Sequence, residues 1–281
     1  MQRLVLLDAR RVGERIVAVG DHGYIVLSDD GGKSWRRAKA PAAPLLTAVD
    51  FEGKAGIAVG HDTTILQSDD GGATWVQRFS APKEQGPLLD VAFASRDLAI
   101  AVGAYGAYYE SNDGGRTWAQ RKITQDDKHF NAILPLGEGR LMIFGEAGTI
   151  LASSDWGRTW APVASPYQGS FFGAQSAADG AIVAFGMRGH VYRTSDRGRT
   201  WQQVETKSLA SFLGAERLAD GALVLAGTLG TALVSRDNGV TFQPIQTHTT
   251  RVLAKPLAGG PSSIFLFGEA GPREAPLAQR P

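Results

Sequence analysis

SDDGGKSW at Ser28–Trp35 and SDDGGATW at Ser68–Trp75 are two copies of one eight-residue text. Four more follow: SNDGGRTW (Ser111–Trp118), SSDWGRTW (Ser153–Trp160), TSDRGRTW (Thr194–Trp201) and SRDNGVTF (Ser235–Phe242). Their shared aspartates, Asp30, Asp70, Asp113, Asp155, Asp196 and Asp237, are 40, 43, 42, 41 and 41 residues apart. A fixed period of that length, filled with short β-rich segments, is the repeat of a β-propeller blade.

A second element precedes each copy, an apolar run ending in Gly-x-x-Gly. It occurs at Gly20–Gly23, Gly60–Thr63 (second Gly replaced), Gly103–Gly106, Gly145–Gly148, Gly186–Gly189, Gly227–Gly230 and Gly268–Gly271. Around the fourth copy, FNAIL, RLMIFG, TILASS and TWAPV are β-rich and separated by Gly, Pro or Asp turns, so four strands fit one period. No 3.6-residue periodicity persists, which argues for a pure β fold. The expectation is an all-β propeller of seven four-stranded antiparallel blades, a single domain over 1–272 followed by a tail over 273–281. Six blades look complete. The seventh is expected to hold two strands, around Val252 and Ile264–Phe267, and the missing closing strand reads as a truncated N-terminus.

Within the eight-residue text the aspartate can accept backbone N–H bonds of a turn, and the Gly two residues later permits positive φ. The Ser/Thr positions can bond the carboxylate. The closing aromatics, Trp35, Trp75, Trp118, Trp160 and Trp201, offer large faces for packing between blades. Six near-identical copies point to a folding device rather than to six acids or metal sites. Gly32-Lys33-Ser34 lacks the leading Gly of a phosphate loop, and SDDGG lacks the acidic ladder and terminal Glu of a calcium loop.

The chain of 281 residues is 43% hydrophobic, enough for a core. With 29 Lys plus Arg against 28 Asp plus Glu there is no global field for nucleic acid or an anionic membrane. There is no cysteine, hence no disulfide or thiolate chemistry. The opening MQRLVLLDAR has too short an apolar run for a signal peptide, and nowhere do 18 apolar residues run together. No cofactor, metal or direct membrane insertion is expected, and the expected state is a monomer.

No GxSxG elbow and no paired histidine motif occurs. His22 and His61 fall in equivalent turns of adjacent blades, where a ligand could bridge them. The enzymatic rival is a glycoside hydrolase of the sialidase kind, for which Tyr105, Tyr108, Tyr167, Glu146 and Arg188 could be nominated, or a carbohydrate-binding propeller without turnover. The competing reading of each is a strand or loop residue. Binding is expected at the ends that carry the Gly-x-x-Gly turns and the blade-to-blade connections. Those connections hold Arg36, Arg37, Lys39, Arg78, Lys83, Arg121, Lys122, Lys128 and Lys207 against Glu84, Asp126, Asp127 and Glu205. Either they form a mildly basic face or they point outward along outer strands. Arg188, Tyr105, His22, His61, Glu146, Tyr167 and Phe171 are the candidate contacts.

The text AVGxxGxIxxSxDGGxTW, as at Ala18–Trp35 and Ala101–Trp118, resembles the photosystem II stability and assembly factor family of BNR/Asp-box propellers. Further matches are AVGHD (Ala58–Asp62), PLLDVAF (Pro87–Phe93), HFNAI (His129–Ile133), GEAGTI (Gly145–Ile150), YQGSFFG (Tyr167–Gly173) and GMRGHVYRTSDRGRTW (Gly186–Trp201). The chain is most similar to members from non-phototrophic bacteria. The resemblance implies a non-catalytic assembly or scaffold protein that binds a membrane protein through an arginine patch, of which only Arg188 is carried over. It also implies a periplasmic location and a membrane-complex partner, an RND-type transporter among the possibilities.

Overall fold

The computed structural model describes residues 4–82, 86–260 and 262–277. Its strands form seven sheets, six of four strands and one of three, each hydrogen-bonded in chain order. That is the sheet content of a seven-bladed all-β propeller.

The first strands are Leu6–Val12, Leu46–Glu52, Leu88–Phe93, Phe130–Gly137, Phe171–Ser176, Phe212–Arg217 and Leu253–Ala258. Each second strand ends on the first glycine of the Gly-x-x-Gly element. A single 3-10 turn leads to the third strand in the first six sheets, and the eight-residue motif leads from third to fourth. In the seventh sheet the expectation of two strands is corrected. Arg273–Pro276 pairs antiparallel with Ser263–Gly268, matching Ala275 with Ile264. The tail expected over 273–281 therefore contributes a strand, and the adjoining Leu277 is buried. Alternation carries this placement, because Ala275 and Leu277 face the core while Glu274 and Pro276 stay exposed. Residues 278–281 lie outside the described residues.

Contacts divide the chain into two compact units, Leu6–Ile143 with Ala152–Ala161, and Phe144–Leu151 with Pro162–Pro281 and the first five residues. In the former, Val17, Leu27, Leu46, Val49, Leu66 and Trp75 form one buried cluster and Ile57, Leu88, Val91 and Tyr109 another. In the latter, Phe185, Phe212, Leu225 and Phe242 pack together, as do Leu253, Ile264, Leu266 and Leu277. Complete burial of one such side chain stabilises by about 1.5–3 kcal/mol.

Glycine is required where sheets meet. The second motif glycine of one sheet lies against the second strand of the sheet before it. A Cβ on Gly115, at φ +89°, would sit 2.8 Å from Ile57 Cδ1. Only a bare Cα fits that approach. Among the described residues no helix is long and apolar enough to cross a membrane.

Candidate functional site

The six 3-10 turns share one geometry and display different residues. The middle residue adopts a left-handed conformation in each: His22 (φ 54°), Asp62 (55°), Tyr105 (55°), Ala147 (49°), Arg188 (54°) and Leu229 (57°). All six are exposed. A left-handed non-glycine residue stores strain that the surrounding backbone bonds must hold. In the fifth sheet Gly186 N–H donates to His190 O (3.1 Å) and His190 N–H to Met187 O (3.1 Å). The frame is thus constant and the tip side chain free to vary.

In the second unit the connection between fifth and sixth sheets packs beneath two tips. Arg188 N–H donates to Ser211 Oγ (3.2 Å), and Ser211 N–H to Thr228 Oγ1 (2.9 Å). Thr206 Oγ1 donates to Gly189 O (3.0 Å), and a Cβ on Gly189 would collide with Ser208 O. The Arg188 tip, the connection and the Leu229 tip are thereby tied into one surface. Leu209 is 86% exposed and Leu229 70% exposed, beside exposed Arg188 and Lys207. Exposed leucines next to exposed cations form a surface with both apolar and charged recognition elements.

In the first unit Tyr105 is 67% exposed, its ring edge-on to His129 at 4.9 Å, and its amide donates to His129 Nδ1 (3.1 Å). His22 Nδ1 lies 2.9 Å from Asp21 Oδ2. His61 is exposed and holds its turn through its amide to Leu45 O (2.9 Å). No group of three or more metal-ligating side chains assembles among the described residues.

One candidate contact is corrected. Phe171 is fully buried, paired with Gly186 across the first and second strands of its sheet, and packed edge-on to Phe144. It is a core residue. Tyr167 is half-buried, its ring 4.5 Å from that of His190 and 5.7 Å from that of Tyr192. It keeps partial exposure. Glu146 is half-buried, and its carbonyl accepts from Thr149 N–H (3.0 Å) within the turn. Tyr108, a nominee for sialidase-like chemistry, is fully buried. Desolvation, then the Glu110 carboxylate, pushes its hydroxyl up to about 12, unsuited to a nucleophile.

Four of the basic connection residues have partners within the protein. Arg36 pairs with Asp29 (2.9 Å), the Arg37 guanidinium lies 4.1 Å over the Tyr24 ring, and Arg78 donates to Gln67 Oε1 (2.9 Å). Arg121 donates to the carbonyls of Gly157 and Arg158. Lys83 and Glu84 lie outside the described residues.

The motif aspartates are turn acceptors. Asp196 accepts from Thr200 N–H (2.9 Å), Thr200 Oγ1 (2.6 Å) and Thr194 Oγ1 (2.8 Å), and the other five copies repeat this set with their own Ser or Thr. The side-chain bond from Thr200, then its amide, holds the Asp196 carboxyl down to about 2. Such carboxylates stay ionised and make poor general acids.

Sequence reading passed over a third set of groups, the charges on first strands. Asp8 Oδ2 accepts Val49 N–H (3.0 Å), Asp50 Oδ2 accepts Phe93 N–H (2.9 Å) and Asp90 Oδ2 accepts Ile133 N–H (2.9 Å). Arg10 bridges Asp8 (2.9 Å) and Asp50 (3.2 Å). Although Asp90 retains part of its surface, desolvation pushes its carboxyl up to about 7, the Ile133 amide opposing and the Asp8 charge assisting. In the second unit Lys255 donates to Ala215 O (2.8 Å) and lies 3.4 Å from Glu216. The signal was present as single charges within apolar runs such as LLDVAF.

Comparison with known proteins places this geometry. The family model described as photosynthesis system II assembly factor YCF48 matches residues 77–258. A YCF48 structure with a bound D1 peptide is similar at 21% identity and TM-score 0.77, over 99% of this chain and 94% of the other. YCF48 from Cyanidioschyzon merolae is similar at 19% identity and TM-score 0.76, over 98% and 96%. A GH74 enzyme from Niastella koreensis is similar at 16% identity and TM-score 0.75, over 98% of this chain and 43% of that one. At these identities the structural likenesses speak to the fold alone. No curated protein sequence matches the chain.

Proposed function

Because the chain belongs to the photosynthesis system II assembly factor YCF48 family, we propose that it is a non-catalytic accessory or assembly protein that docks a segment of a membrane protein. The docking surfaces are turn tips with their adjoining connections, Arg188 and Leu229 in one unit and Tyr105 in the other. The observation that carries this reading is the constant left-handed turn with a different exposed residue at each tip, Arg188 and Leu229 being joined through Ser211. A rigid frame with variable displayed side chains suits recognition, since binding residues concentrate on loops held by a scaffold. Aromatic and arginine tips are the residue types that anchor interfaces. A relative in this family has been solved with a D1 peptide bound, which supports a polypeptide as ligand.

The proposal extends to an extracytoplasmic setting and a membrane complex of the transporter class as partner. Site-specific photo-crosslinking in the source cells tests it. Crosslinkers at 188 and 105 should each join the protein to a membrane polypeptide, and one at Lys33, in the first eight-residue motif, should not. Equal labelling from all three positions would count against this surface.

A further inference from the structure

Away from the turn tips, the first unit holds a cleft of about 560 Å³ between its third sheet and the fourth copy of the motif. Its walls are Asp97 and Leu98, between the first and second strands of that sheet, Glu110 in its third strand and Asn112 just after it, and Trp156 and Arg158 of the motif. The size suits a small ligand.

Trp156 is the unusual wall. At its position the first three copies carry Gly31, Gly71 and Gly114, all at positive φ, and Trp156 takes the same left-handed conformation at φ 63°. The chain thus tolerates strain to place the largest side chain where glycine would serve. Its amide donates to Gly139 O (2.8 Å). A Cβ built on Gly139 would lie 2.7, 2.8 and 2.9 Å from indole Nε1, Cδ1 and Cε2. Three ring atoms at nearly one distance mean that the indole lies flat on Gly139. With one face so covered, the side chain remains 43% exposed.

Arg121 fixes this platform to the third sheet. Its guanidinium donates to Gly157 O and to Arg158 O (3.1 Å), and lies 3.4 Å from Glu110. Its Nε–H is shielded and has no acceptor among the described residues. The cleft therefore combines a supported aromatic face with carboxylate, amide and guanidinium groups.

We propose that this cleft binds a neutral saccharide. The apolar C–H face of a sugar ring would stack on the Trp156 indole, with its hydroxyls donating to Asp97 and Glu110 and accepting from Asn112 and Arg158. An apolar ligand would cover Asp97 and Arg158 without offering them a partner, and a phosphate would face Asp97 and Glu110. This inference is independent of protein docking at the turn tips.

The test is titration of the full chain with cellohexaose, maltohexaose and the hexamer of N-acetylglucosamine, followed by tryptophan fluorescence and calorimetry. At least one should bind with a dissociation constant below about 10 mM. Trp156→Gly, which restores the residue found in three sister motifs and so preserves the fold, should weaken it at least about tenfold. Trp156→Phe should retain part of the affinity, and Tyr105→Ala all of it. Absence of binding by all three sugars, or binding unchanged in Trp156→Gly, would overturn the proposal.

Discussion

Asp90 on one first strand accepts the amide of Ile133 on the next at 2.9 Å, with its carboxyl pushed up to about 7 from an ordinary 3.8. A carboxyl raised on folding favours the native state when protonated. Its stabilisation is full below about pH 4 and is lost as pH rises through about 7. The motif aspartates act in the opposite sense. Held at about 2, as Asp113 and Asp196 are, they stabilise above about pH 4 and lose that contribution as pH falls through about 2. Denaturant unfolding should therefore show greatest stability near about pH 4–5. For one proton the alkaline limb falls by at most about 1.4 kcal/mol per pH unit. Asp90→Asn should flatten that limb and leave the acid limb in place; a limb unchanged in the variant would remove Asp90 as its origin.

Gly115 and Ile57 give a second prediction. Gly115→Ala combines positive φ with a 2.8 Å collision, and should destabilise by about 2–3 kcal/mol. Gly53→Ala, at φ +59° with open space around the new Cβ, should cost about 1 kcal/mol. Equal losses in urea unfolding would show that contact between sheets is unimportant there.

Asp70 provides a third. It accepts from Thr74 N–H (2.9 Å), Thr74 Oγ1 (2.7 Å) and Ser68 Oγ (2.9 Å). Asp70→Ala orphans these donors at a wet surface and should cost about 1–2 kcal/mol, Asp70→Asn less. Binding at the turn tips should be unaffected. A variant with native stability but lost partner binding would instead assign the motif a direct functional role.

The fold was legible because a period of about 41 residues is imposed by the blade itself. The site was less so. Phe171 reads as a loop aromatic in YQGSFFG, yet it stands 15 residues before Gly186, as Phe212 stands before Gly227 and Leu253 before Gly268. Aligning the repeats on their first glycine would have placed it in the core. The same alignment sets Asp8, Asp90 and Lys255 two residues after the buried Leu6, Leu88 and Leu253. Trp156 was hidden for another reason, since the strained position it occupies is a variable one in the motif. The strand at Arg273–Pro276 carries no signal of this kind, because Arg273, Glu274 and Pro276 leave it without a β-branched run.

The central claim is that the turn tips dock a membrane protein. A quantitative pull-down from detergent-solubilised membranes of the source cell tests it most directly, with the wild type beside Arg188→Glu, Tyr105→Ala and their combination, all matched in melting temperature. The account predicts that one membrane complex is enriched on the wild type and lost at least about tenfold from the combined variant. Enrichment of the same complex on all four proteins, or of none on the wild type, would contradict it.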